Sequence, residues 1–112
     1  MHVEHEIRED IDIVFLIGRI DAQSAPGVNQ EIATVLENGR GKMLIDFKAL
    51  EYISSAGLRV LITFAKKLKA AQGSLVLCNL NPKIYEVFDV SGFTAIFDIR
   101  TTQEEALKTL GA

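Results

Sequence analysis

"LEYISSAGLRVL", residues 50–61, changes its hydrophobic period at the centre. An apolar, strand-like run gives way, across Ser54 and Ser55, to the three- and four-residue spacing of a helix. Upstream, "KMLIDF" (42–47) reads as a short buried strand, after which the chain crosses a loop to the helix around Ser55, the strand-like "LEYI" within it being given no element of its own. Downstream, "SAGLRVLITFAKKLKAAQGS" (55–74) is the longest helical pattern. Leu58, Leu61, Ile62, Ala65 and Leu68 lie on one face, Arg59, Lys66, Lys67 and Lys69 largely elsewhere, and Gly73 closes it. A strand end followed at once by a helix start is where α/β proteins meet ligands and partners. A serine there caps the helix, or presents a hydroxyl to something outside, and the local pattern leaves both readings open.

Working outward, "IDIVFLIG" (11–18) is β-branched and nearly continuous, as in a strand covered on both faces. "HVEHEI" (2–7) pairs with it through a turn at Glu9 and Asp10, giving an N-terminal hairpin. "DAQSAPGVNQEIATVLENGRG" (21–41) holds a helix with Ser24 as cap, Pro26 in the first turn, Val28, Ile32, Val35 and Leu36 as the apolar stripe, and Gly39 ending it. Beyond the central helix, "SLVLCNL" (74–80) is a strand. "NPKIYEVFDVSG" (81–92) is a helix capped by Asn81, with Ile84, Val87 and Phe88 inward, and "FTAIFDI" (93–99) returns as a short strand. Thr102 and Glu105 form a capping-box pattern that opens a terminal helix through Ala106 and Leu107. The predicted order is β-β-α-β-α-β-α-β-α, an α/β fold whose crossover helices impose a partly parallel sheet.

Composition narrows the function. The 112 residues, 48% hydrophobic and 24% charged, suit one domain over 1–112 with a real core. A formal net charge of -3 supplies neither a basic footprint for nucleic acid nor a polybasic arm for a membrane surface, so direct nucleic-acid binding and membrane insertion are not expected. The N-terminal "MHVEHEIRED" lacks a signal-peptide core, and one cysteine, Cys78, in an apolar run reads as a buried inert thiol; a cytoplasmic location is expected.

Enzymatic readings of residues 50–61 fare poorly. A nucleophile elbow needs Gly-x-Ser-x-Gly and a base, but the serines lack the glycine and the only histidines are His2 and His5. A phosphate loop needs more glycines and a Lys-Ser or Lys-Thr pair, which leaves nucleotide binding at this helix start as a weakly signalled alternative. A receiver domain would use Asp46 as phosphoacceptor, yet "FDIRTT" offers no lysine after the last strand. His2, Glu4 and His5 include two metal-ligand types, but only His2 and Glu4 share a strand face.

The stretch from "DFKALEYISSAGL" to "VFDVSGFTAIFDI", with "GRIDAQSA" (18–25), resembles the STAS domain (sulphate transporter and anti-sigma factor antagonist) in its stand-alone bacterial form. The resemblance spans nearly the whole chain and implies a mixed sheet with about four helices packed mainly on one side. It implies an anti-sigma factor antagonist, not an enzyme and without a cofactor. Such a protein binds an anti-sigma factor that is also a serine kinase, releasing a sigma factor. Phosphorylation at the start of the second helix stops the binding, and a metal-dependent serine phosphatase restores it. By position the phosphoacceptor is Ser55. Ser54 stands where many members have aspartate and is a competing acceptor. Asp21, Ser24, Ser54, Ala56, Gly57, Leu58 and Arg59 are the partner-binding positions implied, with small Ala56 and Gly57 allowing close approach. The family also admits a subunit docked on a membrane lipid- or solute-transport complex.

Overall fold

Ile11–Ile20, the longest strand (β2), organises the sheet in the computed structural model, which describes residues 1–112. On one flank it pairs antiparallel with β1 (His2–Arg8), from His2 opposite Ile17 to Arg8 opposite Ile11. The connecting turn places Glu9 at φ +57, and the expected hairpin is present. On its other flank β2 serves two partners in succession. Its first half pairs parallel with β3 (Lys42–Asp46), from Asp12 opposite Met43 to Phe15 opposite Asp46. Its end pairs parallel with β4 (Leu50–Ile53), closing with Ile20 opposite Ile53. Gly18, at φ +102, stands where that second register shifts, a backbone conformation side chains resist.

The β4 strand corrects the loop expected between Asp46 and Ser55. "LEYI" is too short to declare itself by alternation, because only Leu50 and Ile53 are buried. β5 (Ser74–Cys78) and β6 (Asp98–Arg100) continue the parallel sheet, in the order β1-β2-β3-β5-β6 with β4 beside β2. The expected strand over 93–99 is also shorter than read: Phe93–Ala95 form a 3-10 turn, and pairing begins only at Asp98.

Helices α1 (Ala25–Glu37), α2 (Ser55–Ala70) and α3 (Pro82–Val90) share one core with the sheet, built on Val14, Leu16, Ile45, Phe47, Leu61 and Phe88. α4 (Gln103–Thr109) packs through Ala106, Leu107 and Leu110 against a second apolar cluster containing Ile11, Ile13, Leu44 and Val76. The alternation of β2 explains the division: Val14 and Leu16 face the three helices, Ile11 and Ile13 the fourth. The mixed sheet with helices mainly on one side is therefore present.

Some inward assignments change. Phe64 is fully buried on α2, whereas Val87 on α3 faces solvent. Asn81 and Thr102 cap α3 and α4 as expected, accepting from the N–H groups of Ile84 (2.8 Å) and Glu105 (3.1 Å). Gln72, at φ +60, takes the left-handed position after α2. Gly73 comes next, donating its N–H to the Leu68 carbonyl at 2.7 Å.

Asp46 fastens the carboxyl ends of the strands. Only 4% exposed, it accepts from the Lys48 N–H (2.9 Å) and Asn79 Nδ2 (3.1 Å) on Oδ1, and from Gln103 Nε2 (3.1 Å) on Oδ2. One carboxylate thereby ties β3, the exit of β5 and the start of α4. Asp46→Ala is expected to lower the unfolding free energy by about 2–3 kcal/mol in urea titration, because it strands the donors left behind. A change under about 0.5 kcal/mol, the scale of an ordinary surface substitution, would contradict this role.

Candidate functional site

Because β2 and β4 run parallel and end in register, the residues after Ile20 and those after Ile53 emerge side by side. The Ser54 N–H donates to the Ile20 carbonyl at 2.8 Å, which continues the pairing to the first residue beyond the strands. Asp21 and the Ser54-Ser55 pair are neighbours through that connection, although more than thirty positions separate them in the chain.

Ser54 lies outside the helix, with φ -87 and ψ 172, and its Oγ accepts from the Gly57 N–H at 3.2 Å. It is the N-cap, half-buried and occupied. Ser55 is the first helical residue, is exposed, and its hydroxyl makes no hydrogen bond within the chain. The two serines that look equivalent in sequence have different jobs: one satisfies the helix, the other is free.

The helix start is pressed onto the two strand ends. A Cβ on Gly57 would stand 2.8 Å from both Ile20 Cγ2 and Ile53 Cγ1, so glycine here allows close packing rather than approach from outside. Leu58 is 4% exposed and belongs to the core. Gly57 and Leu58 therefore present no side chain at the surface. Ala56 is half-buried, and Arg59 is exposed one turn beyond Ser55.

Across the strand pair, Asp21 is exposed but rigidly held. Its Oδ1 accepts from the N–H groups of Ser24 (2.9 Å) and Gln23 (3.0 Å), while Ser24 Oγ accepts from the Asp21 N–H at 3.0 Å. The Ser24 N–H is the chief cause that holds the Asp21 carboxyl below its usual range, so it stays an anion at neutral pH. Ser24 corrects an expectation: it precedes α1 in helical conformation, and its hydroxyl turns back to Asp21 instead of capping.

Three neighbours escaped the sequence reading. Arg19 lies over the ring of Tyr52, 4.6 Å from its centroid, and Glu51 joins Arg19, Asp21, Gln23 and Ser24 in lining an open groove of about 650 Å³. The parallel pairing of β2 and β4 assembles them, and reading "LEYI" as a strand would have been the only signal for it.

The other candidate chemistries lie elsewhere or are occupied. Both Asp46 oxygens are taken by hydrogen bonds. Cys78 is buried, and desolvation, with Asp46 adding to it, pushes its thiol up to about 12, so it is an inert core group. His2 Nε2 lies 3.2 Å from Glu4 Oε2, while His5 turns to the buried Asp12 at 3.1 Å, so the three do not converge. No helix is long and apolar enough to cross a membrane.

Comparison with known proteins places this arrangement in context. The family described as STAS domain matches residues 2–106. The chain is 42% identical over 94 residues to BtrV of Bordetella bronchiseptica, provisionally named an anti-sigma factor antagonist, covering 84% of this chain and 81% of that protein. It is 34% identical over 110 residues to the anti-sigma-B factor antagonist of Listeria monocytogenes, covering 94% and 95%. The solved structure of the Bacillus cell fate determinant SpoIIAA in its phosphorylated form shares the fold with a TM-score of 0.73 at 22% identity, covering 96% of this chain and 98% of that one.

The division between the serines has a measurable consequence. Ser54→Ala is expected to cost about 1 kcal/mol of stability as a lost N-cap, and Ser55→Ala to stay within about 0.5 kcal/mol of the parent in urea unfolding. The reverse ranking would reassign the cap.

Proposed function

The chain belongs to the STAS domain family, and from that membership we propose that it is an anti-sigma factor antagonist whose binding is switched by phosphorylation of Ser55. The observation that carries the switch is the separation of roles at the start of α2: Ser54 is spent on the cap, and Ser55 offers an exposed, unbonded hydroxyl at the first helical position. The partner is an anti-sigma factor with serine-kinase activity. A metal-dependent serine phosphatase reverses the modification, and the exchange takes place in the cytoplasm. The named relatives match over most of their own length as antagonists, which favours this reading over a transport-complex subunit or a nucleotide-binding domain.

The physical consequences of a phosphate at Ser55 derive from its position. It adds about -1.5 to -2 charges at neutral pH. The N-terminus of α2 tolerates them, because unpaired backbone N–H groups and the helix dipole favour an anion there, so the fold is retained. The effect falls on the interface. A partner carboxylate at about 4–6 Å would feel on the order of 3 kcal/mol of repulsion per charge at an effective dielectric near 20. Solvent screening at this exposed position reduces that to about 1–2 kcal/mol, roughly five- to thirtyfold in affinity. Asp21, held ionised beside the same helix start, gives the unmodified surface a fixed anion on one side and Arg59 gives it a cation on the other. Ser24 contributes by fixing Asp21, and Ala56 by leaving room beside Ser55.

Under ATP, Ser55→Ala is expected to remain bound to the anti-sigma factor kinase. Ser55→Asp should fold normally and bind roughly five- to thirtyfold more weakly, with mass spectrometry locating the phosphate of the parent protein on Ser55. Equal binding by the two variants in calorimetry, or phosphate confined to Ser54, would sink the switch.

A further inference from the structure

The charge distribution along α2 departs from what the helix itself would favour. α2 carries four of the chain's twelve Lys and Arg residues and none of its fifteen Asp and Glu residues. Its first turn, where acidic side chains are stabilising, has none, and Arg59 stands just beyond it, where the dipole disfavours a cation. Lys67 and Lys69 in the last turn obey the dipole rule, but it explains neither Arg59 nor the missing acids. α4 follows the dipole at both ends, with Glu104 and Glu105 in its first turn, Lys108 in its last, and a Lys108–Glu104 ion pair at 3.7 Å. The first turns of α1 and α3 also lack acids, but both helices carry acidic residues further along, Glu31 and Glu37 in α1 and Glu86 and Asp89 in α3, and α2 carries none. None of the four α2 cations takes part in any of the molecule's ion pairs.

The placement is as informative as the count. At 100° per residue, positions 55, 59, 62, 66 and 69 fall within about 80° of arc, so Ser55, Arg59, Ile62, Lys66 and Lys69 form one straight stripe about 21 Å long. Ile62 is half-buried, and the other four are exposed. Lys67 stands off the stripe, its Nζ 5.3 Å from the centroid of the Phe64 ring. The stripe begins at the free hydroxyl and runs down the outer face of the helix.

We propose that this stripe is a docking surface for an acidic face of the anti-sigma factor, extending the contact well beyond the phosphorylated residue. The inference rests on the antagonist reading. A row of three unpaired cations, Arg59, Lys66 and Lys69, spaced about Ile62 in a protein of net acidic charge matches a partner surface of carboxylates, and such complementarity acts chiefly on association rate and register. It also gives the switch a second lever. A phosphate on Ser55 stands four residues before Arg59 on the same face, and helical side chains lean toward the N-terminus. The modification thereby repels the acidic partner and draws away the first cation that would meet it.

The test compares the full-length protein with Lys66→Glu/Lys69→Glu and with the control Lys48→Glu/Lys83→Glu, two exposed lysines off α2. Binding to the anti-sigma factor is measured at low and high salt. The stripe variant is expected to bind at least tenfold more weakly, mainly through a slower on-rate and with a flatter salt dependence, while the control stays within about twofold and both unfold in urea like the parent. Affinity equal to the parent's overturns the stripe. If Ser55→Asp weakens binding and the stripe variant does not, the switch stands and the stripe falls; the converse pattern keeps the stripe and removes the switch. Parent protein that binds phosphatidylserine vesicles or duplex DNA through these lysines, with anti-sigma factor binding unchanged in the stripe variant, assigns the surface to another class of partner and overturns the proposal.

Discussion

The pairing of one long strand with two short ones in succession is the constraint on which the rest of the molecule depends. β2 holds β3 along its first half and β4 at its end, and Gly18 supplies the backbone conformation at which the second register shifts. Ser54 extends that pairing by a single hydrogen bond to the Ile20 carbonyl, and Gly57 lets α2 settle on the side chains of Ile20 and Ile53. A loop in place of β4 would leave the start of α2 unanchored. With β4 present, the direction of α2 and the neighbours of Ser55 are set by the sheet.

Two buried carboxylates brace the sheet at opposite ends. Asp46 ties the carboxyl ends of β3 and β5 to α4 through its three hydrogen bonds. Asp12, near the start of β2, accepts from the Arg40 N–H at 3.2 Å and contacts His5 at 3.1 Å, joining the hairpin to the segment after α1. Gly39 is required there, since a Cβ would come within 2.5 Å of Asp12 Oδ2. Each carboxylate is buried with its partners in place, which is the condition under which such groups specify a fold rather than weaken it. With both carboxylates satisfied, the proposed phosphorylation of Ser55 would act on a partner without remodelling the sheet.

The two serines at the start of α2 divide a local requirement between them. A helix start needs a hydrogen-bond acceptor, and Ser54 meets that need, so the neighbouring hydroxyl is left over. The same economy appears at Asp21 and Ser24, which satisfy each other's backbone and leave one carboxylate fixed at the surface. Reactive groups presented from satisfied backbone are already oriented for recognition, and little ordering remains for the binding step.

Much of this was legible in the chain itself, and the part that was not has a physical cause. Side-chain spacing encodes amphipathicity, so the four helices, the hairpin, the caps Asn81 and Thr102, and the inert Cys78 can be read from the sequence, as can the importance of residues 50–61. Periodicity carries no information about a four-residue strand whose partner lies some thirty positions away, so β4 and the company of Arg19, Tyr52 and Glu51 were decided by long-range pairing. Nor does sequence separate two adjacent serines or turn Ser24 away from its helix. Those outcomes depend on backbone dihedral angles fixed by the sheet: ψ 172 at Ser54 aims its oxygen at the helix, and ψ -20 at Ser24 does not. Residue types thus determined which elements form and which hydroxyls are available, while tertiary structure decided which hydroxyl is free, because only the packed strand ends fix where the helix begins.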